Sequence, residues 1–244
     1  MLKGRKNLNM TEINYSSFLG VSAFTSTAEL DFFKGDPAFV AYTLTDLQAK
    51  YLKDRGLVLD KGLVLPKQVH GDAIWKVTAS DAVQAGIVAA DAVVTDVAGL
   101  PMAIRTADCL PALLYDPVRR VIAAVHAGWK STRLDIAAKT VALMQRDYGV
   151  DPQDIRAAIG PCIRRESCEV GPEFMDYFPQ DTVKTDAGLR FDIVSANLRQ
   201  LTGSGVKCGN IFDCGLCSFS DASRFHSFRR DADKSGRMIS VIMM

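Results

Sequence analysis

Two short apolar runs, separated by a turn signal, stand out at the centre of the chain. Residues 110–115 and 121–125 are rich in aliphatic side chains, and Asp116-Pro117 interrupts the pattern between them. Both runs are too short for helices and have the composition of buried strands. The pattern therefore predicts two neighbouring antiparallel strands that are joined by a tight turn.

Apolar runs and alternation predict further strands elsewhere in the chain: residues 18–24, 38–44, a segment that ends at His70, and residues 73–77, 91–96, 100–106, 155–159 and 238–243. Three segments have the longer apolar period of helices and polar residues suited to begin them. They are residues 45–55 with a Thr45/Gln48 capping box, a helix from a Thr132 cap to Tyr148 with Gly149 as its end, and a helix from an Asp192 cap to Gly203.

Many strands with few helices indicate an α+β fold, in which mixed sheets carry helices on their outer faces. The composition does not change along the chain, and no repeat or low-complexity linker divides it. We therefore expect a single domain over residues 1–244, with disorder, if anywhere, in residues 1–15.

Composition narrows the functional classes. The formal net charge of +1 argues against a surface that binds nucleic acid or membrane through bulk charge. No apolar run approaches the ~20 residues of a membrane span, and the basic N-terminus lacks the apolar centre of a signal peptide. The expectation is a cytoplasmic monomer. Its six cysteines are interpreted as reduced thiols or ligands, with Cys214 and Cys217 partly buried and Cys162, Cys168 and Cys208 in packing roles.

Potential ligands flank the two central strands. Cys109 directly precedes the first strand, and His126 directly follows the second. Because the start of one antiparallel strand lies beside the end of the next, these two side chains are predicted to meet. A thiolate beside an imidazole forms either a nucleophile–base pair or half of a zinc site. His70 would complete the His₂Cys pattern of a catalytic zinc site. The alternative is that Cys109 is a buried core thiol and that the histidines are hydrogen-bonded loop residues without a metal.

Seven short motifs occur in a fixed order along the chain. They are Q-V-H-G at 68–71, T-A-D-C-L-P at 106–111, H-A-G-W at 126–129, I-G-P-C-I at 159–163, E-V-G at 169–171, S-F-R-R-D at 227–231 and S-G-R-M at 235–238. Over roughly residues 60–244 the chain resembles the YfiH-type family, also called laccase-domain or multicopper polyphenol oxidase-like proteins. The resemblance implies a four-layer α/β/β/α sandwich, similar to a cytotoxin domain, with zinc bound by His70, Cys109 and His126.

The resemblance also implies an activity. Family members cleave adenosine, inosine, guanosine or methylthioadenosine with phosphate, and some deaminate adenosine to inosine. The older family name implies oxidation of phenols with copper, and copper also binds such ligands well. Three histidines are too few for a multicopper cluster. A third hypothesis is a non-catalytic, metal-stabilised binding protein.

Departures from the family pattern affect the expected substrate contacts. Residues 19–22 lack the usual arginine, residues 130–131 are Lys-Ser instead of Arg-Gly, and Cys168 replaces an aromatic residue. Arg105 and Arg230 remain as candidates to hold phosphate, because guanidinium groups suit bidentate anions. Arg229 shares the motif of Arg230.

Other polar and aromatic residues of the motifs are further candidates. Gln68 is a candidate substrate contact, and Trp129 either stacks on a purine or lies in the core. Asp108 either orients a ligand imidazole or pairs with Arg105. His226 is a candidate fourth ligand.

Overall fold

The computed structural model describes residues 12–32, 44–81 and 87–244. Its strands are β1 (Glu12–Asn14), β2 (Ser22–Ser26), β3 (Ile74–Lys76), β4 (Ala92–Thr95), β5 (Met102–Thr106), β6 (Leu110–Asp116), β7 (Val121–Ala127), β8 (Arg156–Ile159), β9 (Glu169–Val170), β10 (Thr182–Thr185), β11 (Gly188–Phe191), β12 (Ile211–Asp213) and β13 (Met238–Met243).

The helices lie mostly between these strands: α1 (Ser16–Leu19), α2 (Asp46–Lys53), α3 (Trp129–Arg133), α4 (Ile136–Tyr148), α5 (Phe174–Tyr177), α6 (Ile193–Gly203) and α7 (Phe228–Asp231). Short 3₁₀ turns occur at Ala79–Asp81, Pro152–Asp154, Arg165–Ser167, Cys208–Asn210 and Ala232–Lys234. Among the described residues, no helix has the length and apolar character that a bilayer span requires.

Two large sheets form the centre of the fold. The six-stranded sheet has the order β12-β8-β6-β7-β4-β3 and is mixed, because its two outermost pairs are parallel and the others antiparallel. The four-stranded sheet has the order β1-β2-β13-β5 and is antiparallel throughout. A small antiparallel sheet, β10-β11-β9, lies apart from both in hydrogen bonding.

Three apolar cores separate four layers. One core joins the six-stranded sheet to α4 and α6, the second lies between the two large sheets, and the third joins the four-stranded sheet to α2. Neighbouring residues Leu113 and Leu114 of β6 belong to different cores, because successive strand side chains point to opposite faces. A central strand buried on both faces must be apolar at every position, which explains the unbroken runs in the sequence. The predicted α+β class and four-layer α/β/β/α arrangement are confirmed.

The predicted central hairpin is also confirmed. β6 and β7 pair antiparallel from Leu110↔Ala127 to Asp116↔Val121. The Asp116 carboxylate accepts the Val118 N–H at 2.8 Å, which stabilises the turn between the strands. The ends of the hairpin that carry the candidate ligands therefore lie side by side.

Several predicted boundaries are wrong. The helix predicted from Thr132 is divided, because α3 already begins at Trp129 and the chain turns at Asp135, which has a φ of 61°. Leu134 is 43 % exposed at this break. Residues 18–24 form the end of α1 and the start of β2, with Gly20 at a φ of 87° between them. The strand predicted over 38–44 falls almost entirely outside the described residues, as do residues 1–11 of the N-terminus.

The segment before His70 is not a regular strand. It makes isolated bridges only, Val64 to Met102 and Lys67 to Ala89. Pro66 lies between these bridges and has no N–H to donate to a neighbouring strand. His70 itself has a φ of 59°, which is incompatible with an extended strand.

The capping box of α2 allows a prediction about stability. Gln48 N–H donates to Thr45 Oγ1 at 3.3 Å, and Thr45 N–H donates to Gln48 Oε1 at 2.9 Å. Thr45→Ala is expected to lower the free energy of unfolding by about 1 kcal/mol, because it removes the acceptor for one of these backbone N–H groups. Urea denaturation would measure the loss. Thr45→Ser, which keeps the hydroxyl, should remain close to the wild type, and equal losses in the two variants would contradict the capping role.

Candidate metal centre and adjoining cavities

His70, Cys109 and His126 converge at one end of the central hairpin. Their ligand atoms all lie within 4.8 Å of one another, and Cys109 Sγ is 3.8 Å from His70 Nε2. The rings of His70 and His126 are nearly perpendicular, with centroids 4.9 Å apart. The predicted meeting of Cys109 with His126, and of both with His70, is therefore confirmed.

Asp91 holds two of these three residues in place. Its Oδ1 accepts the His70 N–H at 3.0 Å and lies 2.8 Å from His126 Nδ1. Its Oδ2 accepts the N–H groups of Gly71 at 2.7 Å and Val69 at 3.2 Å. Since Nδ1 of His126 is engaged by Asp91, Nε2 is the nitrogen left to act as a ligand.

Asp91 is not among the residues predicted for the site, and the sequence pattern marks it only as the start of a strand. Its position next to an apolar run was the available signal. A carboxylate that is carried into the interior by such a run must find hydrogen-bond donors there, and Asp91 is fully buried.

The electrostatics of the metal-free site favour a Cys109 thiolate beside a protonated His126. Burial works against the Cys109 thiolate, but the His126 and His70 imidazoles outweigh it and lower the pKa of the thiol to about 6. Burial also works against a charged His126, but Cys109 and Asp91 together raise its pKa to about 9. Burial likewise opposes ionisation of Asp91, yet hydrogen bonds from His126 and Gly71 keep the pKa of this carboxyl below its ordinary value. Cys109 is thus prepared to act as a thiolate, either as a ligand or as a nucleophile.

The donor set fits a zinc ion. Zinc binds thiolate sulfur at about 2.3 Å and imidazole nitrogen at about 2.0–2.1 Å, so the tetrahedral ligand atoms of such a site lie roughly 3.3–3.6 Å apart. The 3.8 Å between Cys109 Sγ and His70 Nε2 is close to this spacing. No two of the three ligand atoms are more than 4.8 Å apart, so small shifts of the imidazole rings would bring all three to bonding distance of one zinc ion. One thiolate and two imidazoles also leave a fourth tetrahedral position for a substrate atom or water.

Asp108 has a different role from those predicted. Its carboxylate accepts hydrogen bonds from Ser218 Oγ at 2.7 Å, Ser227 Oγ at 3.0 Å and the Arg229 N–H at 2.6 Å. None of these donors is an imidazole or the guanidinium of Arg105. Asp108, which has a φ of 84°, instead ties the loop of Cys109 to the segment that carries α7.

Two cavities open onto the triad. The larger cavity has a volume of about 600 Å³, and its lining is rich in aromatic and apolar residues but includes five charged ones. The lining residues are His70, Ala107, Asp108, Cys109, Trp129, Lys130, Ile163, Cys168, Glu169, Val170, Gly171, Glu173, Phe174, Phe191, Ile193, Phe228 and Arg229. The smaller, of about 300 Å³, is lined by Gln68, His70, Arg105, Thr106, Ala107, Cys109, His126, Phe228 and Arg237. His70 and Cys109 face both cavities, so a ligand in either one reaches the candidate metal centre.

The predicted substrate residues divide between the cavities, with one exception. Trp129 is 37 % exposed and lines the larger cavity, while its ring stacks on Tyr177 at 6.1 Å. Gln68 and Arg105 line the smaller cavity. Arg230 lines neither. Its guanidinium donates to the carbonyl oxygens of residues 218, 219 and 225 and pairs with Asp231.

The placement of Arg230 contradicts its predicted role in holding phosphate. Arg229 and Arg230 are neighbours on the single turn of α7, so their side chains diverge by about 100° around the helix. Arg229 is the one that reaches the larger cavity, where its Nη1 donates to the Glu169 carbonyl at 2.8 Å.

The remaining histidine and the other cysteines lie outside the triad. His226, which was only a candidate fourth ligand, does not join it, and its buried Nε2 has no hydrogen-bond partner. The predicted packing role of Cys208 is wrong because this residue is exposed, whereas Cys162 and Cys168 are buried as predicted. The thiols of Cys214 and Cys217 are free and partly buried, which also agrees with the prediction.

Comparison with known proteins places this geometry in a family. The family model described as multi-copper polyphenol oxidoreductase laccase matches residues 24–244. The chain belongs to this laccase family. The crystal structure of the YfiH protein of Bacillus licheniformis is similar throughout, with a TM-score of 0.83, 30% identity and coverage of 96% of both chains.

Named relatives of this laccase family member are enzymes. A purine nucleoside phosphorylase of Bacteroides thetaiotaomicron is 31% identical over 255 residues, which span 94% of this chain and 93% of that protein. Adenosine deaminase RL5, from an unknown prokaryotic organism, is 31% identical over 83% of this chain and 82% of its own length. The predicted family is confirmed, and these relatives identify the chain as an enzyme.

Proposed function

We propose that the protein is a zinc-dependent enzyme of purine nucleosides. It cleaves adenosine, inosine, guanosine or methylthioadenosine with phosphate, and it deaminates adenosine to inosine. The observation that carries the proposal is the convergence of His70, Cys109 and His126 beside an aromatic-rich cavity, which His70 and Cys109 line. The names of the relatives support the substrate class.

Each residue of the centre has a separate task. His70, Cys109 and His126 would hold a zinc ion, and bound zinc would polarise a substrate oxygen or lower the pKa of water. Asp91 fixes the His126 ring through Nδ1 and positions the backbone of His70. Exposed faces of Trp129 and Phe228 provide stacking surfaces for a purine in the larger cavity.

The two reactions make different demands on the protein. Deamination replaces the 6-amino group of adenosine by oxygen from water and releases ammonia, so it needs no anion site. Phosphorolysis transfers the ribosyl group from the base to phosphate, so it needs a place for a phosphate oxygen near the glycosidic carbon. An enzyme with both activities therefore requires two adjoining compartments at one centre, and two cavities do meet at His70 and Cys109.

An assay with and without phosphate tests the proposal. Zinc content is first measured in protein purified without added metal, and adenosine is then incubated with the protein while adenine, inosine and hypoxanthine are resolved. Adenine that forms only with phosphate supports phosphorolysis, and inosine that forms without phosphate supports deamination. If zinc-loaded protein gives no product from any purine nucleoside, the binding-protein hypothesis replaces this one.

Copper-dependent oxidation of phenols is the competing activity. A multicopper cluster needs many imidazoles, and the chain has three histidines, of which His226 stands apart from the triad. A single copper at the triad is chemically reasonable, since copper binds such ligands more tightly than zinc does. Copper in the purified protein, together with oxidation of a phenol and no turnover of nucleosides, would favour this alternative.

Trp129 provides a test of purine stacking. Trp129→Ala is expected to raise KM for adenosine roughly tenfold, because a base stacked on an aromatic ring is stabilised by about 1–3 kcal/mol. Trp129→Phe should retain most of the affinity. Steady-state kinetics of the two variants would measure the difference, and an unchanged KM in Trp129→Ala would show that the purine does not contact this ring.

A further inference from the structure

The smaller cavity has an unusual balance of charge. Arg105 and Arg237 both line it, and among the described residues none of its lining side chains is acidic. The larger cavity contrasts with it, because three carboxyl side chains, those of Asp108, Glu169 and Glu173, outnumber the two basic side chains, Lys130 and Arg229, that line that space. The lining of the smaller cavity therefore favours a dianion more than that of the larger one does.

Thr106 adds an unused hydrogen-bonding group. It lines the smaller cavity and is 1 % exposed, and its Oγ1 has no hydrogen-bond partner. A buried hydroxyl without a partner lowers stability, so such groups are rare in native proteins unless a ligand or water completes them. The hydroxyl of Thr106 can donate one hydrogen bond to an anion oxygen.

Strand pairing brings these three residues together from distant parts of the sequence. β5 and β13 are antiparallel neighbours, with Thr106 opposite Met238 and Arg105 opposite Ile239. Arg237 is the residue just before β13, so it lies beside the end of β5.

Both arginines are held by backbone contacts. The Gln68 side chain donates to the Arg105 carbonyl at 2.7 Å and accepts the Arg105 N–H at 2.8 Å. Arg237 Nη1 donates to the carbonyl oxygens of Ser235 and Gly236, each at 2.9 Å, and its N–H donates to Asp31. The guanidinium of Arg237 and the backbone of Arg105 are thus held in place before any ligand arrives, which reduces the entropic cost of binding.

The geometry points to the smaller cavity as the phosphate subsite, with Arg105, Arg237 and the Thr106 hydroxyl as its contacts. This inference rests on the proposed function and deepens it. The aromatic and acidic lining of the larger cavity suits the purine ring and the ribose hydroxyls, so the nucleoside occupies that side. His70 and Cys109, which face both cavities, then lie at the boundary where phosphate and nucleoside meet.

Thr106→Val is the sharpest test, because it replaces a hydroxyl that has no partner by a methyl group of the same shape. The thermal stability of the protein should be unchanged or slightly higher. KM for phosphate in adenosine cleavage should rise on the order of 10–100-fold, as expected for a lost hydrogen bond to a charged group, while KM for adenosine stays the same. Arg237→Gln should raise KM for phosphate by at least as much.

Ser131→Ala is the matched control. Ser131 also has a buried hydroxyl without a partner, but it lines neither cavity of the candidate centre. This variant should keep the wild-type KM for phosphate. If KM for phosphate is unchanged in both Thr106→Val and Arg237→Gln, the subsite is wrong although the proposed function stands.

Calorimetric titration of inorganic phosphate into the zinc-loaded protein, at constant ionic strength, separates the two proposals. Wild-type protein should bind phosphate, and Thr106→Val and Arg237→Gln should bind it on the order of 10–100-fold more weakly. Such weakening without turnover of any nucleoside would support the anion subsite and remove the proposed function. Equal binding by wild type and both variants would overturn the subsite, whatever the enzyme proves to catalyse.

Discussion

Cys109→Ala is expected to abolish both zinc binding and nucleoside turnover while the protein still folds. The variant removes the only thiolate of the three candidate ligands, and the two remaining imidazoles cannot complete a catalytic zinc site of the usual three-ligand kind. The fold should survive because its three apolar cores lie between the layers and do not depend on the metal. Metal analysis, circular dichroism and the adenosine assay would measure the three properties.

Cys208→Ala is the matched control for this experiment. Cys208 is exposed and lies in a short 3₁₀ turn, so its loss should change neither metal content nor turnover. An unfolded Cys109→Ala protein would mean that the metal is structural. A folded variant that keeps its zinc would mean that Cys109 is not a ligand.

Asp91→Asn is expected to weaken zinc binding roughly 10–100-fold, the range found when a carboxylate that orients a ligand histidine is removed. Asp91 accepts hydrogen bonds from three backbone N–H groups and contacts His126. An asparagine presents one carbonyl oxygen and one NH₂ group to the same donors, so at least one donor loses its acceptor. The free energy of unfolding of the metal-free protein should therefore fall by roughly 3–5 kcal/mol.

The contribution of Asp91 to stability should depend on pH in one direction. The pKa of the folded carboxyl lies below its ordinary value of 3.8, so the stabilisation is present above that value and is lost as the pH falls through the lower pKa. Zinc titrations and urea denaturation would measure both effects. Asp96→Asn, at the exposed far end of the same strand, is the control. Equal zinc affinity in Asp91→Asn and wild type would contradict the positioning role.

Local sequence pattern was enough to predict the centre of the site. The hairpin of β6 and β7 follows from two apolar runs and one turn signal, and antiparallel geometry then places Cys109 beside His126. The position of His70 beside Cys109 and His126 is harder to predict. Its loop is held by the buried Asp91 carboxylate from another segment, and not by the regular hydrogen bonds of a strand pair. Nothing local to residues 63–70 shows that contact.

The roles of the arginines show where local pattern stops being informative. Arg230 was favoured because it occurs in a motif, but its guanidinium is used by neighbouring carbonyl groups. Arg237 was not singled out, because its place in the smaller cavity depends on the pairing of β13 with β5. The spacing of residues within one motif does not predict which strands pair when they are far apart in the sequence.

The place of β13 in its sheet has a consequence for the order of folding. β13 lies between β2 and β5, so Ser240 pairs with Thr25 and with Ile104, far apart along the chain. Closing such long loops is slow compared with forming a local hairpin. Cys109 and His126, joined by the hairpin, should therefore come together early, whereas Arg237 should reach them only when the four-stranded sheet closes. During refolding, two of the three candidate zinc ligands are therefore expected to come together before the anion-binding wall forms beside them.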